Sequence, residues 1–160
     1  LIAVSTFINI PVPPVSFTLQ TLMIVLVGFL LKPLDAFLAV IIYLAVGFLG
    51  VPVFTSGGGP QAFFTPTGGF LLSFPFVALG ISFFKSKSKK MFFDLQVLII
   101  FGLILVYLFG VIGFILVTNL SFIETLVIFI PYYIWDILKL IFAYLIYYFM
   151  PDSMIRMHLN

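Results

Sequence analysis

The stretch IPYYIWDILKLIFAYLIYYF, residues 130–149, is apolar and aromatic almost throughout, yet it carries Asp136 and Lys139. A run of about 20 apolar residues is what a straight membrane-crossing helix requires. Positions i and i+3 share one face of such a helix, so the two charges lie side by side. Each ionised group costs roughly 2.5–3.5 kcal/mol near the centre of a bilayer on insertion scales. Two readings follow. The residues are a mutually neutralising pair that pins the helix into a bundle, or they are the polar pole of an apolar cavity. In the second case Lys139 attracts a carboxylate and Asp136 accepts N–H donors.

The rest of the chain supports the membrane setting. Of 160 residues, 64% are hydrophobic and 8% charged, and the mean hydropathy is +1.37. A soluble domain carries roughly 25% charged residues, so this composition cannot build a water-facing surface. The expectation is an all-α integral membrane protein with a single domain over residues 1–160. There are no cysteines, which excludes disulfides and thiolate metal sites. The one histidine, His158, sits in a polar tail, and no cofactor is implied. No cleavable signal peptide is evident, and Leu1 opens inside an apolar run, so the first helix reads as truncated.

Turn signals divide the apolar runs into six spans. Residues 1–10 are the end of a first helix, stopped by Pro11, Pro13 and Pro14, which cannot continue it. Helices are expected over 17–31, 35–50, 67–84, 93–118 and 131–150. Alternation of polar and apolar residues, the mark of a membrane β-barrel, is absent. Lys32, the KSKSKK cluster (Lys85, Lys87, Lys89, Lys90) and Arg156 follow the second, fourth and sixth spans, whereas the opposite loops hold no Lys or Arg. The positive-inside rule makes the basic side cytoplasmic, with both termini inside. The cluster reads as a solvated topology signal rather than a nucleic-acid site, with anionic lipid headgroups a lesser alternative.

The Pro-rich 10–16 segment, the Gly-rich 51–66 loop and the Pro131 start of the last helix then converge on the outer face. Gly57-Gly58-Gly59-Pro60 lacks the spacing of a phosphate loop. With Gln61, Thr65 and Thr67, and with Gly68-Gly69 allowing close backbone approach, it reads as an ordered lid. Thr18 and Gln20 place hydrogen-bonding groups at the outer end of the second helix. Their alternative role is bonding between helices. Trp135, Tyr132 and Tyr133 fit an interfacial belt or a stacking surface for a ligand. Enzyme readings are disfavoured. Asp136 is the only carboxylate expected inside a span, whereas an intramembrane aspartyl protease needs two, and His158 lies on the far side.

Several motifs in order, PVPPVSFTLQTL, YLAVGFLGVPVF, a Gly-rich loop, PTGGF and a final P-x-x-x-x-D-x-x-K, resemble the biotin-specific S component (BioY) family of energy-coupling factor transporters. The resemblance implies a six-helix membrane protein that captures biotin from outside. Its implied partners are a transmembrane T component and two ATPase subunits. Carried over by motif, Asp136 and Lys139 are the principal polar ligand contacts. Thr18, Gln20 and the loop residues Gly58, Gln61, Thr65, Thr67 and Gly69 line or close the pocket. Three positions depart from the family pattern: Thr65 replaces a Gly, Phe70 replaces a Tyr, and Trp135 stands where a small residue is usual. The alternatives are a carrier of another small vitamin and a structural membrane protein.

Overall fold

Proline positions and capping chemistry decide where the helices begin and end. The computed structural model describes residues 1–11, 15–86 and 88–151. Pro13, Pro14, Lys87, Arg156 and His158, all used in the sequence reading, lie outside the described residues. Helix α1 (Ile2–Phe7) gives way to a short antiparallel hairpin of β1 (Asn9–Ile10) and β2 (Phe17–Thr18), with Asn9 opposite Thr18 and Ile10 opposite Phe17. The first helix is thus shorter than expected, and Thr18 lies in a strand rather than in the second helix. Pro11 is the local cause, because it disfavours helical geometry in the residue before it.

Helix α2 (Gln20–Leu30) stops before Lys32, which is extended as a residue preceding proline tends to be. Helix α3 (Pro33–Phe48) starts on Pro33, where a missing N–H costs nothing. The connection after it contains a 3-10 turn, Pro60–Phe64, and leads into α4 (Gly68–Phe84). Helix α5 (Met91–Thr118) is continuous, with its Leu98–Leu105 stretch in π-helical form. It ends at Asn119, whose φ of +57° is a left-handed stop.

Helix α6 (Phe122–Phe149) begins nine residues before Pro131, the expected start. Ser121 and Glu124 form a reciprocal capping box: Glu124 N–H donates to the Ser121 hydroxyl at 3.3 Å, and Ser121 N–H to the Glu124 carboxylate at 2.9 Å. Phe129 and Tyr132 flank the proline and are buried, so tertiary packing carries the helix through it.

Helix α4 runs through the middle, against α2, α3 and α5, while α6 packs on α2 and α5. Close approach of α4 to α5 depends on glycine. A β-carbon on Gly69 would lie 2.3 Å from the Phe109 carbonyl oxygen and 3.0 Å from Gly113 Cα. The described residues include two helices long and apolar enough to cross a membrane, α5 and α6.

At the end where α2, α4 and α6 terminate, the basic loop does more than sit in solvent. Lys85 Nζ donates to the carbonyls of Gly28, Phe29 and Leu31 at 3.2, 2.7 and 2.9 Å. Lys89 Nζ donates to the carbonyls of Tyr148 and Met150 at 3.1 and 2.7 Å. Both cap helix C-termini, where carbonyls lack intrahelical partners and the dipole favours a cation. Asp94, in the first turn of α5, is fully buried and accepts the Ser86 N–H at 2.6 Å. Asp136 is therefore not the only buried carboxylate. Asp94 lies 13 residues from Tyr107 along α5, roughly 20 Å at helical rise, and does not face Asp136.

Replacing Lys85 with Met keeps the stem and removes the donor. The expected loss is about 1–3 kcal/mol, because buried carbonyls of α2 lose their partner. Burial pushes the Lys85 ammonium down to about 8, against a partial lift from Asp94. Between about pH 8 and the ordinary lysine value of 10.5 the unfolded chain holds a proton that the folded chain has released, so stability rises with pH across that window. Denaturant unfolding of wild type and Lys85→Met should show a gap that widens over this range; a narrowing gap contradicts the assignment.

Candidate functional site

Opposite the basic loop, where α1 and α3 end and α2 and α4 begin, the helices enclose a cavity with about 50 Å³ of water-accessible volume. A single water needs roughly 10–15 Å³ on this measure, so there is room for several waters or a compact ligand ring. The lining comes from Val15 to Thr18 of the hairpin, Gln20 and Thr21 of α2, Thr55 and Thr67 of the loop after α3, Phe70, Leu71 and Phe74 of α4, Tyr107 of α5, and Phe129, Tyr132, Asp136 and Lys139 of α6.

Asp136 and Lys139 form the polar floor. Lys139 Nζ donates to Asp136 Oδ1 at 2.6 Å, and each side chain is 13% exposed. The Tyr107 hydroxyl donates to the other oxygen, Asp136 Oδ2. A carboxylate has about four lone-pair sites, so two remain for donors entering the cavity. Tyr107 is held edge-on by Phe70 and Phe129, each with ring centroids 5.8 Å from it.

The hairpin forms the cover. Phe17 stacks on Tyr132 with centroids 4.4 Å apart and planes at 24°, and its ring lies 5.9 Å from Lys139 Nζ, a cation–π contact. The Val15 N–H donates to the Tyr132 hydroxyl at 3.3 Å.

Of the residues expected at the site, the fold brings Thr18, Gln20, Thr67, Asp136 and Lys139 together. It does not bring the others. Gln61 is exposed and donates to the Gly58 carbonyl at 2.6 Å, so both are occupied within the loop. The Thr65 hydroxyl donates to the Ala62 carbonyl at 2.7 Å and reaches the cavity only through its 2.9 Å contact with Thr67. Gly69 serves the α4–α5 crossing. Trp135 is 53% exposed and meets Phe17 at 6.0 Å, on the outer side of the cover.

The physical cause is that the loop after α3 folds back on that helix. Phe54 fills the space above Gly47, its ring edge-on to Tyr43 at 5.4 Å and to Phe63 at 5.6 Å. The Gly59 N–H donates to the Gly47 carbonyl at 2.7 Å. Tyr107 and Phe17 were not anticipated. A lone phenol within the apolar run LILVYLFG was the available signal for Tyr107, since a buried Tyr hydroxyl needs a partner.

The BioY family model matches residues 1–156. The chain belongs to the BioY family. Over 149 residues, 91% of this chain and 86% of the relative, it is 36% identical to the biotin transporter BioY of Thermotoga maritima. It is 41% identical over 111 residues to the probable biotin transporter BioY of Lysinibacillus sphaericus, covering 67% of this chain and 55% of that relative. It is 49% identical over 75 residues to the biotin transporter BioY2 of Lactococcus lactis, covering 46% of this chain and 41% of that one. The chain thus spans about half the length of some BioY relatives and most of others. The backbone superposes on the crystal structure of the S-component for biotin from an ECF-type ABC transporter with a TM-score of 0.80. That match covers 99% of this chain and 85% of the other, at 29% identity.

Removing the cover should expose the floor of this BioY site. Phe17→Ala loses the Tyr132 stack, about 0.5–1.5 kcal/mol beyond buried area, and uncovers Lys139. A water-soluble amine reagent, followed by peptide mass spectrometry, should label Lys139 faster in the variant. Equal labelling rates would show that Phe17 does not guard the cavity.

Proposed function

We propose that the protein captures biotin in this cavity and serves as the substrate-specific S component of an ECF-type transporter. The observation that carries this is the Asp136–Lys139 pair, oriented by Tyr107, in a part-open cavity of a chain whose family and fold match biotin S components. Biotin supplies what the cavity lacks. Its ureido ring brings two N–H donors for acceptors such as Asp136. Its fused apolar ring suits Phe70, Phe74 and Phe129, and its valerate carboxylate adds a negative charge. Thr18, Gln20 and Thr67 supply the remaining polar contacts.

The chain is read as a single six-helix domain embedded in the cytoplasmic membrane, with the exposed apolar face of α3 turned to lipid. Lys32, Lys85, Lys89 and Lys90 all lie at the end opposite the cavity. The positive-inside rule makes that end cytoplasmic and points the cavity outward, with both termini inside. A part-open cavity at the outer end also supports capture ahead of transport, the energy coming from a T component and two ATPase subunits.

Equilibrium binding of biotin to the purified protein in detergent tests this. Wild type should bind, and Asp136→Asn and Lys139→Met should each weaken binding at least about tenfold, roughly 1.4 kcal/mol, while remaining folded by circular dichroism. A folded wild type that ignores biotin but binds another vitamin would replace the substrate. Variants that bind as wild type would make the pair a packing element.

A further inference from the structure

Gln20 borders the cavity, and its amide is tied to a hydrogen-bond chain whose direction is set outside the cavity. Gln20 Nε2 lies 2.6 Å from the Tyr43 hydroxyl, and that hydroxyl lies 2.9 Å from the Val53 carbonyl oxygen. A carbonyl can only accept, and a phenol has one proton. Tyr43 gives that proton to Val53, so toward Gln20 it can only accept. The atom of Gln20 that faces Tyr43 must then be the N–H₂ group. The Thr6 hydroxyl, 3.4 Å from Tyr43, already has the Ile2 carbonyl at 3.2 Å. Tyr43 is 7% exposed and stands where α1, α2, α3 and the Val53 segment meet. Among the described residues no hydrogen bond reaches Gln20 Oε1.

We propose that Tyr43 is a positioning residue: it holds the Gln20 amide with Oε1 turned to the cavity, so that the site demands an N–H donor from its ligand at that point. Asp136 is likewise acceptor-only, because Tyr107 donates to it. The cavity therefore selects ligands with separate N–H groups, as in a cyclic urea, and rejects isosteres that place an acceptor there. This rests on the biotin reading for the ligand, though not for the orientation of Gln20.

Two ligands and three variants test it: biotin, and the carbamate analogue in which one ring N–H is replaced by oxygen, taken as both isomers. Wild type should prefer biotin over one isomer by about tenfold or more, because a buried acceptor loses its donor. Tyr43→Phe should erase most of that preference, since the freed amide can rotate and donate. Gln20→Ala should erase it too, with or without Tyr43→Phe. If Tyr43 is only structural, its loss weakens both ligands equally and the ratio stays put, which overturns the proposal. Side-chain amide NMR of ¹⁵N-labelled protein reads the orientation without ligand. The Gln20 Nε2 protons should exchange slowly in wild type and rapidly in Tyr43→Phe. Fast exchange in wild type also overturns it. A wild type with a protected Gln20 amide that binds neither ligand would refute the biotin reading while upholding the role of Tyr43.

Discussion

Placing Asp136 and Lys139 one turn apart on α6, both nearly buried, is the constraint around which the site end is organised. Two charges removed from water repay their desolvation only with close geometry and additional hydrogen bonds. The 2.6 Å contact supplies the first and the Tyr107 hydroxyl the second. Tyr107 sits on α5, so the pair is satisfied only if α5 and α6 run antiparallel in one register. Leu120 lies in the connection between them, 13 residues after Tyr107 and 16 before Asp136. The left-handed Asn119 and the Ser121–Glu124 cap fix that connection. A change of one residue in the turn would rotate α6 by about 100° and leave the carboxylate without its phenol.

Around this floor the walls are aromatic. Tyr107, Phe129 and Tyr132 join Val15, Val111 and Phe114 in one buried cluster, and Phe70 reaches it from α4. Between helices surrounded by lipid, the hydrophobic effect gives little preference for association, and shape complementarity must supply it. Edge-to-face rings and glycine contacts do so with few rotatable bonds. The ring of Phe70, seated where a β-carbon on Gly110 would fall 2.3 Å away, shows both devices at once. A tyrosine at position 70 would add a hydroxyl to this dense region, and that hydroxyl would need its own partner.

Much of this was legible in the sequence. The i, i+3 spacing put Asp136 and Lys139 on one face, and the charge asymmetry separated the basic end from the site end. The stop of α2 followed from Lys32-Pro33. What failed did so for tertiary reasons. Pro131 reads as a boundary, but buried Phe129 and Tyr132 hold α6 together across it. The Gly-rich loop reads as a lid; Phe54 buries its ring over Gly47 on α3, and Thr55 is the residue of the 51–66 loop that lines the cavity. The Phe17 strand also covers the cavity, and it was invisible beforehand because two-residue strands leave no periodic pattern. Lys85 and Lys89 looked like solvent charges, since no local pattern announces which distant helix ends within reach of a lysine.

The two ends differ in the strength of what closes them. At the basic end, Lys85 and Lys89 bind five carbonyls of α2 and of the segment closing α6. Hydrogen bonds from charged donors contribute about 1.5–3 kcal/mol each. At the site end, among the described residues, the hairpin meets α6 through the Phe17–Tyr132 stack, the Phe17–Trp135 edge contact, the Phe17–Lys139 cation–π contact and the Val15–Tyr132 hydrogen bond. Helices α2 and α6 run through both ends. The lysine bonds at the basic end join α2 and the end of α6 to the loop between α4 and α5 independently of the hairpin. A bundle clamped in this way keeps the α5–α6 register on which Asp136 depends whatever the position of the ten-residue hairpin from Asn9 to Thr18.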